Sequence, residues 1–156
     1  MPLVWNKDLE IGIPEIDMQH RRIFTWMNAL LEQMREGKGK YEVARFLGHL
    51  GRYTEEHFAT EERCMRRYGY ANIALHMQLH DDFRAVLDHL QARLKKEGAS
   101  TSLALETQKV MHEWWRSHIT EKDTVLAGFL REKIAEEQKK SGLSLPQLPV
   151  TSGQAP

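Results

Sequence analysis

The chain has 156 residues, with 22 basic and 22 acidic side chains for a formal net charge of +0 at pH 7, and one cysteine, Cys64. That length fits one domain with a real core, and the even charge leaves no field to draw in nucleic acid or an anionic membrane surface. One cysteine permits no internal disulfide and points to a reducing compartment. The opening MPLVWNKDLE has no basic stretch followed by an apolar run, and no apolar stretch is long enough to span a bilayer. A cytoplasmic monomer is therefore expected. The compositional oddity is eight histidines.

Residues 1 to 16 read as an irregular arm, docked by Trp5, Ile11 and Ile13, with Asp17 as the N-cap of the first helix. That helix runs to about Glu36. Ile16, His20, Ile23, Phe24, Met27, Leu30, Leu31 and Met34 share one stripe of period 3.6, and the glycines at 37 and 39 end it. A second helix spans about Tyr41 to Tyr68, with Phe46, Leu47, Leu50, Tyr53 or Thr54, His57, Glu61, Cys64, Met65 and Tyr68 inward. Gly48 and Gly51 read as places where a neighbouring helix comes close. A third helix runs from about Asn72 to Lys96 behind Ile73, His76, Met77, His80, Phe83, Leu87, Leu90 and Leu94. After a loop capped by Ser100 or Thr101, a fourth starts near Ser102 and turns Leu105, Met111, Trp114, Trp115 and His118 inward. A further helix covers about 124 to 139, with Val125, Leu126, Phe129, Leu130 and Ile134 on its stripe. Residues 141 to 156, without a charged side chain and proline-rich, read as a disordered tail behind a domain of residues 1 to 140. No strand and no internal repeat is expected.

Chemistry concentrates between His57 and His80. His57 and Glu61 are four apart, as are His76 and His80, and residues four apart share a helix face. Gly69 and Asn72 between the pairs suit the end of one helix and the start of the next. Two antiparallel neighbours would then aim four side chains at one interior point. His20 near the start, and His118 with Asp123 near the end, fall on inward stripes as well. His118 and Asp123 are five apart, about 140° around a regular helix, so the backbone must loosen, bulge or end between them if both are to reach that point. A single histidine on an apolar stripe is ordinarily a satisfied core residue. Five of them with a buried carboxylate are too costly to bury without a shared partner, and a metal supplies one.

Five imidazoles and two carboxylates exceed one six-coordinate ion. If Glu61 and Asp123 both bridge two ions with an oxo or hydroxo group, an ion with three histidines is full. An ion with two stops at five and keeps an open position. Imidazole-rich N/O ligation suits iron, with zinc and copper also compatible by ligand type. The other histidines carry less: His112 is expected in solvent, and His49 and His89 read as surface or structural. Cys64 reads as a small core hydrophobe and the methionines as packing. Trp114, Trp115 and Ile119 are candidates to wall the open position.

Together these residues resemble the hemerythrin family, in its single-domain bacterial form. The matching pieces are Trp5, Gly12-Ile13, Ile16-Asp17-x-Gln19-His20, His57-Phe58-x-x-Glu61-Glu62-x-x-Met65, Gly69-Tyr70, His76-x3-His80 and Trp114-x3-His118-Ile119-x3-Asp123. They span about Trp5 to Phe129. The resemblance implies an all-α, up-down-up-down four-helix bundle with an N-terminal arm and an extra C-terminal helix. It also implies two iron ions with an oxo or hydroxo bridge: one held by His76, His80 and His118, the other by His20 and His57, with Glu61 and Asp123 shared. The implied activity is reversible dioxygen binding, not enzymatic turnover, for storage, transport or delivery to an oxygen-using protein partner. An oxygen or redox sensor is the alternative, as is a di-iron redox, nitric-oxide or iron-repair protein. One departure stands out. Trp115 takes a place that hemerythrins usually fill with an aliphatic residue, near the expected oxygen pocket.

Overall fold

The computed structural model describes residues 4–142; of the expected tail, 141 to 156, Ser141 ends the last helix, Gly142 caps it, and the remainder lies outside the described residues. Its helices are α1 (Pro14–Arg35), α2 (Gly39–Tyr68), α3 (Ile73–Glu97), α4 (Thr101–Ser117) and α5 (Thr124–Ser141). A π-helical turn, His118–Asp123, joins the last two. The fold is the expected all-α four-helix bundle. α4, the π turn and α5 keep right-handed helical dihedrals across both junctions, with Ser117 at φ −62 and Thr124 at φ −60. The C-terminal extension is thus continuous with the fourth helix and is not a separately packed element. No helix among the described residues is long and apolar enough to cross a membrane.

The arm is more ordered than its sequence suggests. Lys7–Leu9 forms a 3-10 turn, and α1 begins at Pro14, three residues ahead of expectation. Proline suits the first helical position because its missing N–H would have no partner there anyway. Asp17 is consequently not an N-cap. It sits in the first turn of α1 and reaches back to accept from the N–H of Ile11 at 2.8 Å and of Gly12 at 3.0 Å. Arg131 of α5 donates to the Ile11 carbonyl, so the arm is pinned from both sides. At the other end of α2, Gly69 adopts φ +70 and its N–H bonds Met65 O; this left-handed cap turns the chain into α3.

Several phase assignments change. Gly39 opens α2 instead of ending α1, packed against Met34. Gly48 has open space beside it, whereas Gly51 faces Gln91 of α3 closely. Ser100 caps α4 through Leu103 N, as its sequence suggests, but Leu105 is 55% exposed and the inward face is Leu103, Ala104, Thr107 and Met111. Val125 is likewise 58% exposed. Both lie one position off a stripe whose neighbours are apolar too, and a pattern of adjacent apolar residues leaves the phase open.

The buried apolar residues form separate clusters along the bundle. One holds Ile23, Phe24, Met27, Leu50, Phe58, Phe83, Met111, Trp115 and Ile119. Another joins the arm to α2 and α5 through Ile11, Ile13, Ile16, Cys64, Met65, Leu126 and Leu130. A third closes the far end with Val43, Leu47, Leu90, Leu103 and Ala104. Burying one such side chain contributes about 1.5–3 kcal/mol relative to exposure. His20 and His57 stand next to the first cluster in the chain, Glu61 and Asp123 next to the second. The ionisable residues therefore occupy a layer with apolar packing on both sides.

Candidate metal centre

Five imidazole Nε2 atoms converge on two carboxylates. His20 lies 3.0 Å from Asp123 Oδ2, His76 3.0 Å and His80 3.2 Å from Glu61 Oε2, and His118 3.0 Å from Asp123 Oδ1. His57 is 3.7 Å from an oxygen of each. All seven side chains are buried. Their ligand-capable atoms fall into two groups that share Glu61: one with His76, His80 and His118, the other with His20, His57 and Asp123.

Regular helices supply most of this. The i,i+4 pairs on α2 and α3 stack one turn apart on facing surfaces. His118 and Asp123 are brought to the same side by the π turn, whose i→i+5 bond runs from Thr124 N to Ile119 O. Thr124 Oγ1 donates to that carbonyl at 2.9 Å as well. The loosening demanded by the five-residue spacing is found there.

The electrostatics of the layer are set by burial and by the pairing of imidazoles with carboxylates. Burial lowers His20 and His80 below the ordinary imidazole range. Burial acts the same way on His76 and His118, but Asp123 and Glu61 overcome it and push both up to about 9. The carboxyls are raised by burial, and Glu61 also by Asp123; the surrounding imidazoles outweigh this and hold both well below the usual carboxylate range. Two imidazolium ions thus balance two carboxylates. The balance is incomplete in hydrogen bonds. His57 Nε2, His80 Nε2, His118 Nε2, Glu61 Oε1 and Asp123 Oδ1 are buried without a hydrogen-bond partner. A cation satisfies such unpaired nitrogens and carboxylate oxygens together once it displaces the imidazole protons, so the donor set fits a metal.

An outer layer fixes the rings. His57 Nδ1 donates to Gln19 Oε1 at 3.3 Å, and Gln19 Nε2 donates to Thr60 Oγ1 at 3.0 Å. His80 Nδ1 donates to Glu62 Oε1 at 3.1 Å; Glu62 in turn accepts from Arg84 at 3.2 Å, and Arg84 is held by Glu55 and Asp81. A proton held on Nδ1 leaves the Nε2 lone pair facing the carboxylates. Phe58 stacks on His80 at 3.7 Å between centroids, and Trp114 stacks on His118 at 4.2 Å. Gln19 and Glu62 carry no role in the sequence reading. Their signal was position: each is a polar residue directly beside a ligand-type residue in the chain, turned about 100° toward the adjoining helix.

Of the remaining residues, Trp115 is fully buried, 5.2 Å from the His57 ring and 6.2 Å from the His20 ring. Trp114 is half-buried and Ile119 buried. Cys64 is buried, and burial pushes its thiol up to about 11, which makes it a poor nucleophile. His49 stacks on Trp26 at 4.2 Å, a structural role, and His89 is exposed. His112 is half-buried and not in open solvent, with its imidazole lowered by burial.

A four-helix bundle with a buried histidine–carboxylate cluster at its centre defines a metal-binding class. Within it the comparisons are specific. The Hemerythrin HHE cation binding domain matches residues 11–130, and the chain belongs to the hemerythrin family. It is 31% identical over 134 residues to the bacteriohemerythrin of Pseudomonas paraeruginosa (strain DSM 24068 / PA7), covering 86% of this chain and 85% of that one. It is 30% identical over 143 residues to the bacteriohemerythrin of Stenotrophomonas maltophilia (strain R551-3), covering 90% and 91%. A crystal structure of wild-type hemerythrin superposes with a TM-score of 0.74 at 27% identity, covering 83% of this chain and 98% of that one. The family binds iron.

Proposed function

We propose that the chain binds dioxygen reversibly at a di-iron centre, for storage, transport or delivery to an oxygen-using partner. His76, His80 and His118 would hold one ion, His20 and His57 the other, with Glu61 and Asp123 shared between them. When bound, such an iron pair supplies the two electrons that reversible dioxygen binding requires. The observation that carries the reading is the count of donors on each side. Both groups share Glu61, and Asp123 turns Oδ1 to His76 and His118 and Oδ2 to His20 and His57; with both carboxylates serving both sides, three imidazoles stand against two and the His20–His57 side holds one ligand fewer.

The chain's own part is orientation and exclusion. Gln19 and Glu62 keep the outer protons on Nδ1 of His57 and His80. Phe58 and Trp115, with ring centroids 5.8 Å and 5.2 Å from His57, make the surroundings of the two-histidine side dry, which disfavours charge separation and loss of a bound ligand as an anion. No serine, cysteine or lysine nucleophile stands among these contacts, which fits a binder and not a hydrolase.

The test is an anaerobic optical titration. Iron-loaded protein is reduced with dithionite, freed of reductant, and exposed to air while its visible spectrum is followed. A charge-transfer band that persists in air and disappears under argon is the expected result. Direct, irreversible oxidation would reject reversible binding and favour sensing or redox turnover.

A further inference from the structure

Metal binding accounts for the orphaned atoms of the imidazoles and carboxylates that face one another. It cannot account for the indole Nε1 of Trp115, which is also buried without a hydrogen-bond partner. An indole N–H has no lone pair to offer; it is a donor only and cannot ligate a metal. Buried tryptophans ordinarily find an acceptor, and leaving the bond unmade costs the desolvation of the donor. The rest of Trp115 explains nothing about this, because its ring is packed on every side. Phe83 lies 6.0 Å away, Phe58 6.1 Å and Trp114 5.1 Å, none of them a hydrogen-bond acceptor of normal strength.

Position supplies the second observation. Trp115 lies within ring-contact range of both His57 and His20, at 5.2 Å and 6.2 Å, and it comes no nearer than 6.4 Å to His118. It therefore belongs to the side with two imidazoles. Trp5 carries another orphaned indole N–H, but its only imidazole contact is His20, at 6.1 Å from the arm side.

We propose that the Trp115 indole N–H is the hydrogen-bond donor to an exogenous ligand bound on the His20–His57 side, so that this chain selects ligands bearing an anionic acceptor atom over neutral ones of similar size. This rests on the reading that the two-histidine side is the open one. An apolar residue at position 115 could only limit ligand size. The indole does that and adds one directional donor in a dry site, where a hydrogen bond to a charged acceptor is strong. Trp115 is thus a specificity-determining residue.

The probe is azide, a small anion with terminal acceptor atoms, titrated into oxidised, iron-loaded protein. Wild type, Trp115→Phe and Trp5→Phe are compared. Trp115→Phe is expected to bind azide about tenfold more weakly, and Trp5→Phe as wild type. The infrared asymmetric stretch of bound azide separates donation from packing: it should shift between H2O and D2O in wild type and lose that isotope shift in Trp115→Phe. Equal affinities with an isotope shift retained in Trp115→Phe would overturn the donor role. So would loss of the isotope shift in Trp5→Phe alone. Azide failing to bind wild type at all would instead overturn the assignment of the open side, and the donor role with it.

Discussion

The two ways this chain brings paired candidate ligands together differ in kind. On α2 and α3, His57 with Glu61 and His76 with His80 are four apart, and an ordinary helix does the rest. Between α4 and α5, His118 and Asp123 are five apart, and the backbone widens into a π turn to align them. The first arrangement costs nothing, because every i→i−4 bond is kept. The second gives up regular bonding over six residues and recovers part of it through Thr124, whose hydroxyl and N–H both bond Ile119 O. The difference teaches that ligand spacing reports backbone type: a pair at four belongs to a regular helix, and a functional pair at five marks a bulge.

The contrast can be broken most severely by lengthening the π turn. Inserting one alanine after Thr120 sets His118 and Asp123 six apart, about 240° around a regular helix, a spacing that a one-residue bulge does not align, and so takes Asp123 off the face of His118. The variant should retain less than half of the wild-type iron per chain, measured after desalting, and α5 should lose its docking. Inserting one alanine after Ala99, in the α3–α4 loop, should leave most of the iron in place. Equal loading by both insertions would contradict the role given to the turn.

Acidity probes both regions at once, since one raised imidazole comes from each. His76 and His118, at about 9, carry protons at pH 7 that a metal must displace. Affinity for Co(II), used as a spectroscopic substitute, should therefore climb between pH 6.5 and 8.5 by up to about two log units per pH unit. Stability of the stripped protein should move the other way. The raised imidazoles stabilise it fully below about pH 6.5 and lose that effect as pH rises through about 9. Glu61 and Asp123, being depressed, add stability that is present above about pH 4 and lost on acidification. Opposite slopes of Co(II) affinity and thermal midpoint across this window are the expected outcome; parallel slopes would reject the charge balance.

The smallest effect concerns the outer layer. Glu62→Ala removes a carboxylate that orients His80, and metal affinity should fall about 10- to 100-fold by competition with a chelator. Gln19→Ala removes a neutral and longer contact at 3.3 Å, and its loss should be the smaller of the two. The reverse order would mean that His57, not His80, depends on its outer partner.

Much of this was legible because helical periodicity is strict. The inward placement of His20, His57, Glu61, His76, His80 and His118 follows from apolar stripes, and the anomaly at Asp123 announced itself as a spacing that a regular helix cannot satisfy. What stayed hidden depended on tertiary partners. Asp17 has the residue type of an N-cap, yet it serves the arm, because Pro14 had already begun the helix. Leu105 and Val125 look inward in sequence because their neighbours are equally apolar, and only packing chose the phase. Glu62 and Gln19 act across helices, on His80 and His57, and a single helix's pattern does not show which neighbour a polar flank will meet.

The distribution of ligands along the chain has a temporal consequence. Four of the seven candidate ligands lie in one hairpin of helices, α2 and α3, joined through Gly69, whereas His118 and Asp123 come from the last rod. His57, Glu61, His76 and His80 are therefore synthesised well before His118 and Asp123. Because a domain generally folds as a unit, the centre cannot close until the fourth helix and the π turn have left the ribosome.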